Sequence, residues 1–147
     1  GGLPVRAFHG TPSDDNGYLM HEIADGGLRP SGPAAIAGRL DASGGAGLIL
    51  CAHTHQPGLV TLPGSATVVL NPGSVGLPAY SDPTPLQPHV SEAGSPHARY
   101  ALVTIAGGAV AGVDLRAIPY DWSRAAARAR ELGRPDWAVA LATGTMG

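Results

Sequence analysis

The apolar positions of this chain fall in short runs, and Gly and Pro stand between them as turn punctuation. Leu3 to Phe8 is the first run and reads as a buried strand. It ends at His9-Gly10-Thr11-Pro12, where Asp14, Asp15, Asn16 and Gly17 signal a loop. Tyr18 to Asp25 is expected to make one or two helical turns. Pro33 to Leu40 reads as a short helix with Pro33 in its first turn. Gly47 to Cys51 (G-L-I-L-C) is a second apolar strand. Leu59 to Leu62 and Thr67 to Leu70 form a hairpin around Pro63-Gly64-Ser65. Asn71 to Gly76 is a tight, Gly-rich turn, and Ser81 to His97, rich in Pro and Ser, reads as an exposed loop. Arg99 to Ile105 and Val110 to Ile118 pair around Gly107-Gly108. Asp121 caps a helix that runs to Leu132 and closes at Gly133. Pro135 opens a second helix ending near Gly144. No internal repeat is visible.

Composition narrows the class. The chain has 147 residues, which suits one domain with a normal core. Hydrophobic residues make up 44%, enough to fold. All 9 basic residues are Arg and the formal net charge is −2, with no basic stripe, so no nucleic-acid-binding patch is expected. Cys51 is the one cysteine; it excludes an intrachain disulfide and reads as a core thiol. No apolar run reaches the length of a membrane-spanning helix. The N-terminus lacks a basic region followed by an apolar stretch, so no signal peptide is read and a cytoplasmic location is expected. The start at Gly1-Gly2, without Met, fits a cut chain and also a processed one.

Candidate chemistry sits past the second strand. His53 and His55 are two apart, and on extended backbone such side chains point the same way. Two neutral imidazoles can then reach one divalent ion. The spacing alone is common in a chain with 6 histidines, and a histidine after a strand is often only a satisfied polar residue. Its context adds more. Cys51-Ala52-His53-Thr54-His55-Gln56-Pro57 resembles the G-H-T-H-x-P box of calcineurin-like metallophosphoesterases. Asn71 to Gly76 (N-P-G-S-V-G) matches the N-P-G-S box of their small bacterial and archaeal branch. Phe8 to Pro12 resembles that branch's H-G-x-P box, and the C-terminal hairpin followed by Pro119-Tyr120-Asp121 is similar too. Ala52 stands where the family has Gly, which restricts the backbone if that position needs a positive φ.

The resemblance implies an α/β fold: half of a layered α/β/β/α sandwich, with a mixed sheet, β-hairpins and a C-terminal helical pair. Residues 1–147 would be a single, partial domain. It implies a two-metal phosphoester hydrolase, a phosphodiesterase or phosphatase, in which His9 and His53 bind one metal and His55 the other. Two cations about 3.5–4 Å apart would hold the phosphate and a bridging hydroxide. Mixed His and carboxylate ligands suit Mn, Fe, Ni or Zn. Thr11, Thr54 and Asn71 are candidate substrate contacts; the plainer readings are local backbone hydrogen bonds and a structural turn. No catalytic side chain is assigned.

The family's D-x-H, G-D and G-N-H-D boxes, which supply its carboxylates, occur nowhere here; Asp14-Asp15-Asn16 has the wrong order. The resemblance therefore covers a C-terminal half. A fragment, a partner chain carrying the first half, and a degenerate gene are the three readings. The chain itself could be a non-catalytic metal-binding or assembly module, or a monozinc site built on His9, His53 and His55. A half-sandwich leaves apolar sheet faces exposed, so a homodimer or association with the missing half is expected. His21, His89 and His97 read as surface residues. Trp122 and Trp137 are expected to pack the two helices onto the sheet, and Arg124, Arg128 and Arg130 to form a solvated face.

Overall fold

The computed structural model describes residues 2–40 and 45–147. Its main sheet takes four short strands: β1 (Val5–Ala7), β4 (Leu48–Leu50), β6 (Val68–Pro72) and β5 (Pro57–Thr61), in that spatial order. Strand β1 is parallel to β4, and β4 to β6; β5 returns antiparallel to β6. Central strands of a parallel sheet are covered on both faces and read as continuous apolar runs. Leu48, Ile49, Val69 and Leu70 are accordingly buried. Helix α1 (Pro33–Arg39) adds Ile36 to one core, together with Leu19, Met20, Ile49, Cys51 and Val69. The α/β architecture expected from the sequence, with its mixed sheet, hairpins and C-terminal helices, is the one observed.

Two hairpins correct the sequence reading. Tyr18 to Asp25 does not form helical turns. Strand β2 (His21–Ala24) pairs antiparallel with β3 (Gly27–Pro30) instead. The linking residues, Asp25 and Gly26, have φ of 52° and 75°. Two successive positive φ values make the turn that matches strand twist, and Asp-Gly is its sequence signature. The segment from Ser81 to His97 is not one exposed loop either. It carries part of β7 (Ala79–Asp82) and all of β8 (His89–Glu92), which pair and bury His89 and Ser91. His21 and His89 are therefore interior residues, not surface ones, and His97 is half-buried against the Trp122 ring.

Strands β9 (Ala98–Ala106) and β10 (Ala109–Ile118) form the long hairpin expected, with a bulge between Val110 and Gly112. Leu102, Ile105, Leu115 and Ile118 on it are exposed. Helix α2 (Trp122–Glu131) starts where the Asp121 carboxylate accepts from Arg124 N, and Arg124, Arg128 and Arg130 lie exposed on it. Helix α3 (Pro135–Thr143) ends at Gly144, whose φ is 79°. Ala126, Ala129, Ala138 and Leu141 close the two helices on each other and on Leu77. Trp137 does not reach the sheet: it stays exposed with the Arg134 guanidinium over its ring. The α3 terminus is pinned from outside. Gly144 O accepts from Gly94 N at 3.0 Å, and any side chain at Gly144 would strike the Ser95 backbone. No helix among the described residues is long and apolar enough to cross a membrane.

Candidate functional site

Three parallel strands deliver their C-terminal ends to one edge of the sheet, where ligand crevices of open α/β sheets form. His9 follows β1. Cys51 to His55 follow β4. Asn71 lies at the end of β6. The ladder carries over into these ends: Ala52 N donates to His9 O at 3.0 Å and Cys51 N to Leu70 O at 3.0 Å. The sheet register thus sets His9 beside the Ala52-His53 step. His9 Nε2 and His53 Nδ1 come within 3.1 Å.

The loop after β4 is not extended. His53 and His55 have φ of 62° and 59°, both left-handed. Strand alternation therefore does not aim the two rings; a twice-turned loop does. Ala52 has no positive φ, so Ala in place of the family's Gly costs the backbone nothing there, and the strain sits one residue later. A non-Gly residue held left-handed costs about 1–3 kcal/mol and persists only where its surroundings fix it.

Those surroundings are polar and buried. Asn71 Nδ2 donates to Ala52 O at 2.7 Å and to Thr54 Oγ1 at 3.0 Å. Asn71 Oδ1 accepts from Gly73 N at 2.9 Å. On the other side Ser91 Oγ donates to Thr54 O at 2.6 Å, and Gln56 Nε2 to Ser91 Oγ at 3.3 Å. Thr54 and Asn71 are 1% and 0% exposed. With their polar atoms spent on the loop, these two side chains brace the backbone around the histidines. Thr11 is half-buried and bonds within its own turn, exchanging hydrogen bonds with Asp14.

The rings occupy an aromatic setting that composition did not announce. Tyr18 lies 5.0 Å from the His53 ring, and Tyr80 meets the His55 ring edge-on at 5.0 Å. Tyr18 Oη contacts Tyr80 Oη at 2.8 Å and His89 Nε2 at 2.7 Å. His89 Nδ1 faces the Gln87 carbonyl at 2.7 Å, so that nitrogen carries a proton. In the neutral ring Nε2 then accepts from Tyr18, and Tyr80 donates to Tyr18. Burial drives the Tyr80 phenol above its ordinary range, and donation to Tyr18 adds to that. Tyr18 and His89 lay hidden in segments read as helical turns and loop, and Tyr80 between the assigned elements; the alternation Tyr80, Asp82 and His89, Ser91 signalled the strands of the latter two.

Burial lowers the His53 pKa, and the neighbouring His9 lowers it further. Burial also lowers that of His55, against the Leu77 carbonyl, which raises it. Both rings are thus biased to the neutral form that ligates cations. The His9–His53 separation is close to the span of about 3.3 Å between two nitrogens held 2.0–2.1 Å from a tetrahedral ion. His55 Nδ1 is buried with no hydrogen-bond partner among the described residues. Yet among the described residues no group of three or more His, Cys, Asp or Glu side chains is placed to hold a metal ion. Asp82 and Asp14 act on His53 electrostatically, but Asp82 accepts from Thr84, and Asp14 from Asn16 N. Among the described residues the His9 and His53 nitrogens thus stand together as a pair, and no third ligand completes a closed mononuclear or a dinuclear site.

No protein-family model and no curated protein matches the sequence. Solved structures match the fold. A hypothetical protein from Pyrococcus horikoshii OT3 gives a TM-score of 0.63 at 16% identity, covering 95% of this chain and 46% of that one. A metallophosphoesterase from Sphaerobacter thermophilus gives a TM-score of 0.63 at 20% identity, covering 97% of this chain and 56% of that one. The chain spans about half the length of the solved structures it matches. The likeness is one of fold: it runs over nearly all of this chain and about half of a metallophosphoesterase.

Proposed function

We propose that this chain supplies the histidine-bearing part of a metal-dependent phosphoester hydrolase, a phosphodiesterase or phosphatase of the calcineurin-like type. The observation that carries the reading is the His9–His53 pair, 3.1 Å apart at the C-terminal edge of the parallel strands. His9 and His53 are the ligands to one divalent ion and His55 to a second, with Mn, Fe, Ni or Zn the fitting metals. The missing carboxylates come from another segment or another polypeptide, so these 147 residues alone have little activity. Thr54 and Asn71 act by positioning the loop.

Association belongs to this reading. Strand β1 is a sheet edge, and β9–β10 exposes apolar side chains. A hollow of about 380 Å³ between the main sheet and that hairpin is lined by Phe8, Leu70, Val75, Tyr100 and Val103. An open edge and exposed apolar side chains favour a covering partner, either a second copy or the segment that completes the sheet. A second reading, a non-catalytic metal-binding or assembly module, draws on the absence of a three-ligand group among the described residues.

The test pairs two measurements. Calorimetry with Mn or Ni on the isolated chain should show binding that disappears on His53→Ala. Hydrolysis of a nitrophenyl phosphate ester should appear with the complementing polypeptide and fall at least a hundredfold on the same substitution. Binding without hydrolysis in any complex supports the module. Neither binding nor hydrolysis sinks both readings.

A further inference from the structure

The hydroxyl of Tyr18 is clamped between the two strands of one hairpin. Its Oη lies 2.8 Å from Tyr80 Oη on β7 and 2.7 Å from His89 Nε2 on β8. The donors run one way: Tyr80 to Tyr18, Tyr18 to His89 Nε2, and His89 Nδ1 to the Gln87 carbonyl. Gln87 N in turn donates to Thr84 O at 3.1 Å, inside the turn that joins the strands. The anchor is interior, since His89 is buried. At its other end this chain of bonds meets both histidines of the loop after β4. The Tyr18 ring lies 5.0 Å from the His53 ring, with the planes at 51°. The Tyr80 ring meets His55 at 5.0 Å and 75°. We propose that Tyr18 and Tyr80 are positioning residues, coupling the His53 ring to the His55 ring through the hydrogen bond between their phenols.

Ring packing alone would not couple them. Aromatic contacts tolerate a range of geometries, offset or edge-on, over centroid distances of about 4.5–7 Å. An O–H···O bond is stricter, holding about 2.7–2.8 Å and a preferred direction. With Oη fixed between Tyr80 and His89, the Tyr18 ring cannot tilt without breaking a bond and leaving a part-buried polar atom unsatisfied. His53 therefore packs on a ring whose far end is held, and His55 packs on the ring bonded to it. The backbone between the two histidines is braced separately, by Asn71 and Ser91. That bracing places the Cα atoms and leaves the rotation of each ring to its side-chain neighbours. The use of the coupling, to keep the ligands of two ions in one relation, rests on the hydrolase reading; the coupling itself does not.

The experiment follows the carbon-bound ring protons of His53 and His55 by NMR in the metal-free chain. Phenylalanine keeps the ring and its magnetic effect and removes only Oη, so a shifted signal reports a displaced ring. Tyr18→Phe should shift the His55 signals, although Tyr18 packs on His53. Tyr80→Phe should shift the His53 signals, although Tyr80 packs on His55. In the Tyr18→Phe background, Tyr80→Phe should add nothing at His53, because the bond is already gone; independent contacts would add. Tyr120→Phe, a phenol beside Trp122 and outside the network, should leave both histidines in place. The proposal is overturned if Tyr80→Phe leaves His53 unmoved, moves it as far with Tyr18 already replaced, or moves it no more than Tyr120→Phe does. Should Tyr18→Phe fail to fold, Tyr80→Phe against the Tyr120→Phe control decides alone, since it keeps the Tyr18–His89 bond. Coupled shifts in a chain that binds neither Mn nor Ni would refute only the hydrolase reading.

Discussion

Asn71→Ala tests how the histidine loop is held. The side chain donates to Ala52 O and Thr54 Oγ1 and accepts from Gly73 N. Three neutral hydrogen bonds contribute a net of about 1 kcal/mol each, and the buried groups left behind raise the loss further. The expected destabilisation is about 3–5 kcal/mol. A chain of this length loses about 2–4 °C per kcal/mol, so the melting temperature should fall by roughly 10 °C. Stability alone does not single out the loop. The second readout is calorimetric affinity for Mn or Ni. Released from Asn71, His53 and His55 relax from left-handed backbone, and affinity should fall at least tenfold. Ile36→Ala serves as the control: Ile36, on α1, is fully buried and its truncation costs a comparable 2–5 kcal/mol. It should leave metal affinity intact at temperatures where it is folded. A melting point within about 1 °C of the parent, or equal affinity losses in both variants, refutes the reasoning.

Other outcomes follow from the same structure. His21 has a lowered folded-state pKa, whereas the unfolded chain titrates near the ordinary value of about 6.5. The unfolded state therefore binds more protons below that pH, and the contribution to stability is complete above it and lost as pH falls toward the folded value. Urea midpoints should drop from pH 7 to pH 5, and His21→Phe should make the drop shallower without abolishing it, since His53 and His55 titrate in the same sense. Burial pushes the Cys51 thiol up to about 12, so it should resist a thiol reagent at pH 8 until the chain unfolds; rapid labelling of folded protein would contradict its core position. Leu102→Glu with Leu115→Glu, both on the exposed hairpin, should convert an associated species to monomer by light scattering, and a monomeric parent would remove the case for self-association.

The legible parts of the sequence were those where burial and composition agree. Strands β4 and β6 are continuous apolar runs because they lie inside the sheet, and β9–β10 alternates around a Gly-Gly turn. The histidines could be placed at a strand end from the order of residues alone. Their backbone could not: a left-handed His53 depends on Asn71 and Ser91, which are distant in sequence. Strand β2 opens on His21 and Glu22 and has too few apolar positions to look like a strand, although Asp25-Gly26 marked its turn. Strand β8 is the harder case. His89 and Ser91 are buried because partners satisfy them, Tyr18 for one and the Thr54 carbonyl for the other. Hydrophobicity does not foresee a polar residue buried by its partners, and Pro-rich surroundings concealed it further.

The seam at Gly144 makes the last helix a strut for the site. Its carbonyl takes Gly94 N, and Met146 N donates to the Glu92 carboxylate at 2.7 Å, so the chain's final turn grips the exit of β8 from two sides. Strand β8 carries Ser91, and Ser91 holds the Thr54 carbonyl between the two left-handed histidines. A mechanical line thus runs from residue 144 through 94 and 91 to 54, across three segments that share no sequence neighbourhood. Loosening the C-terminal end, by removing α3 or by placing any side chain at Gly144, should be felt as altered ring positions at His53 and His55, well before the sheet itself gives way.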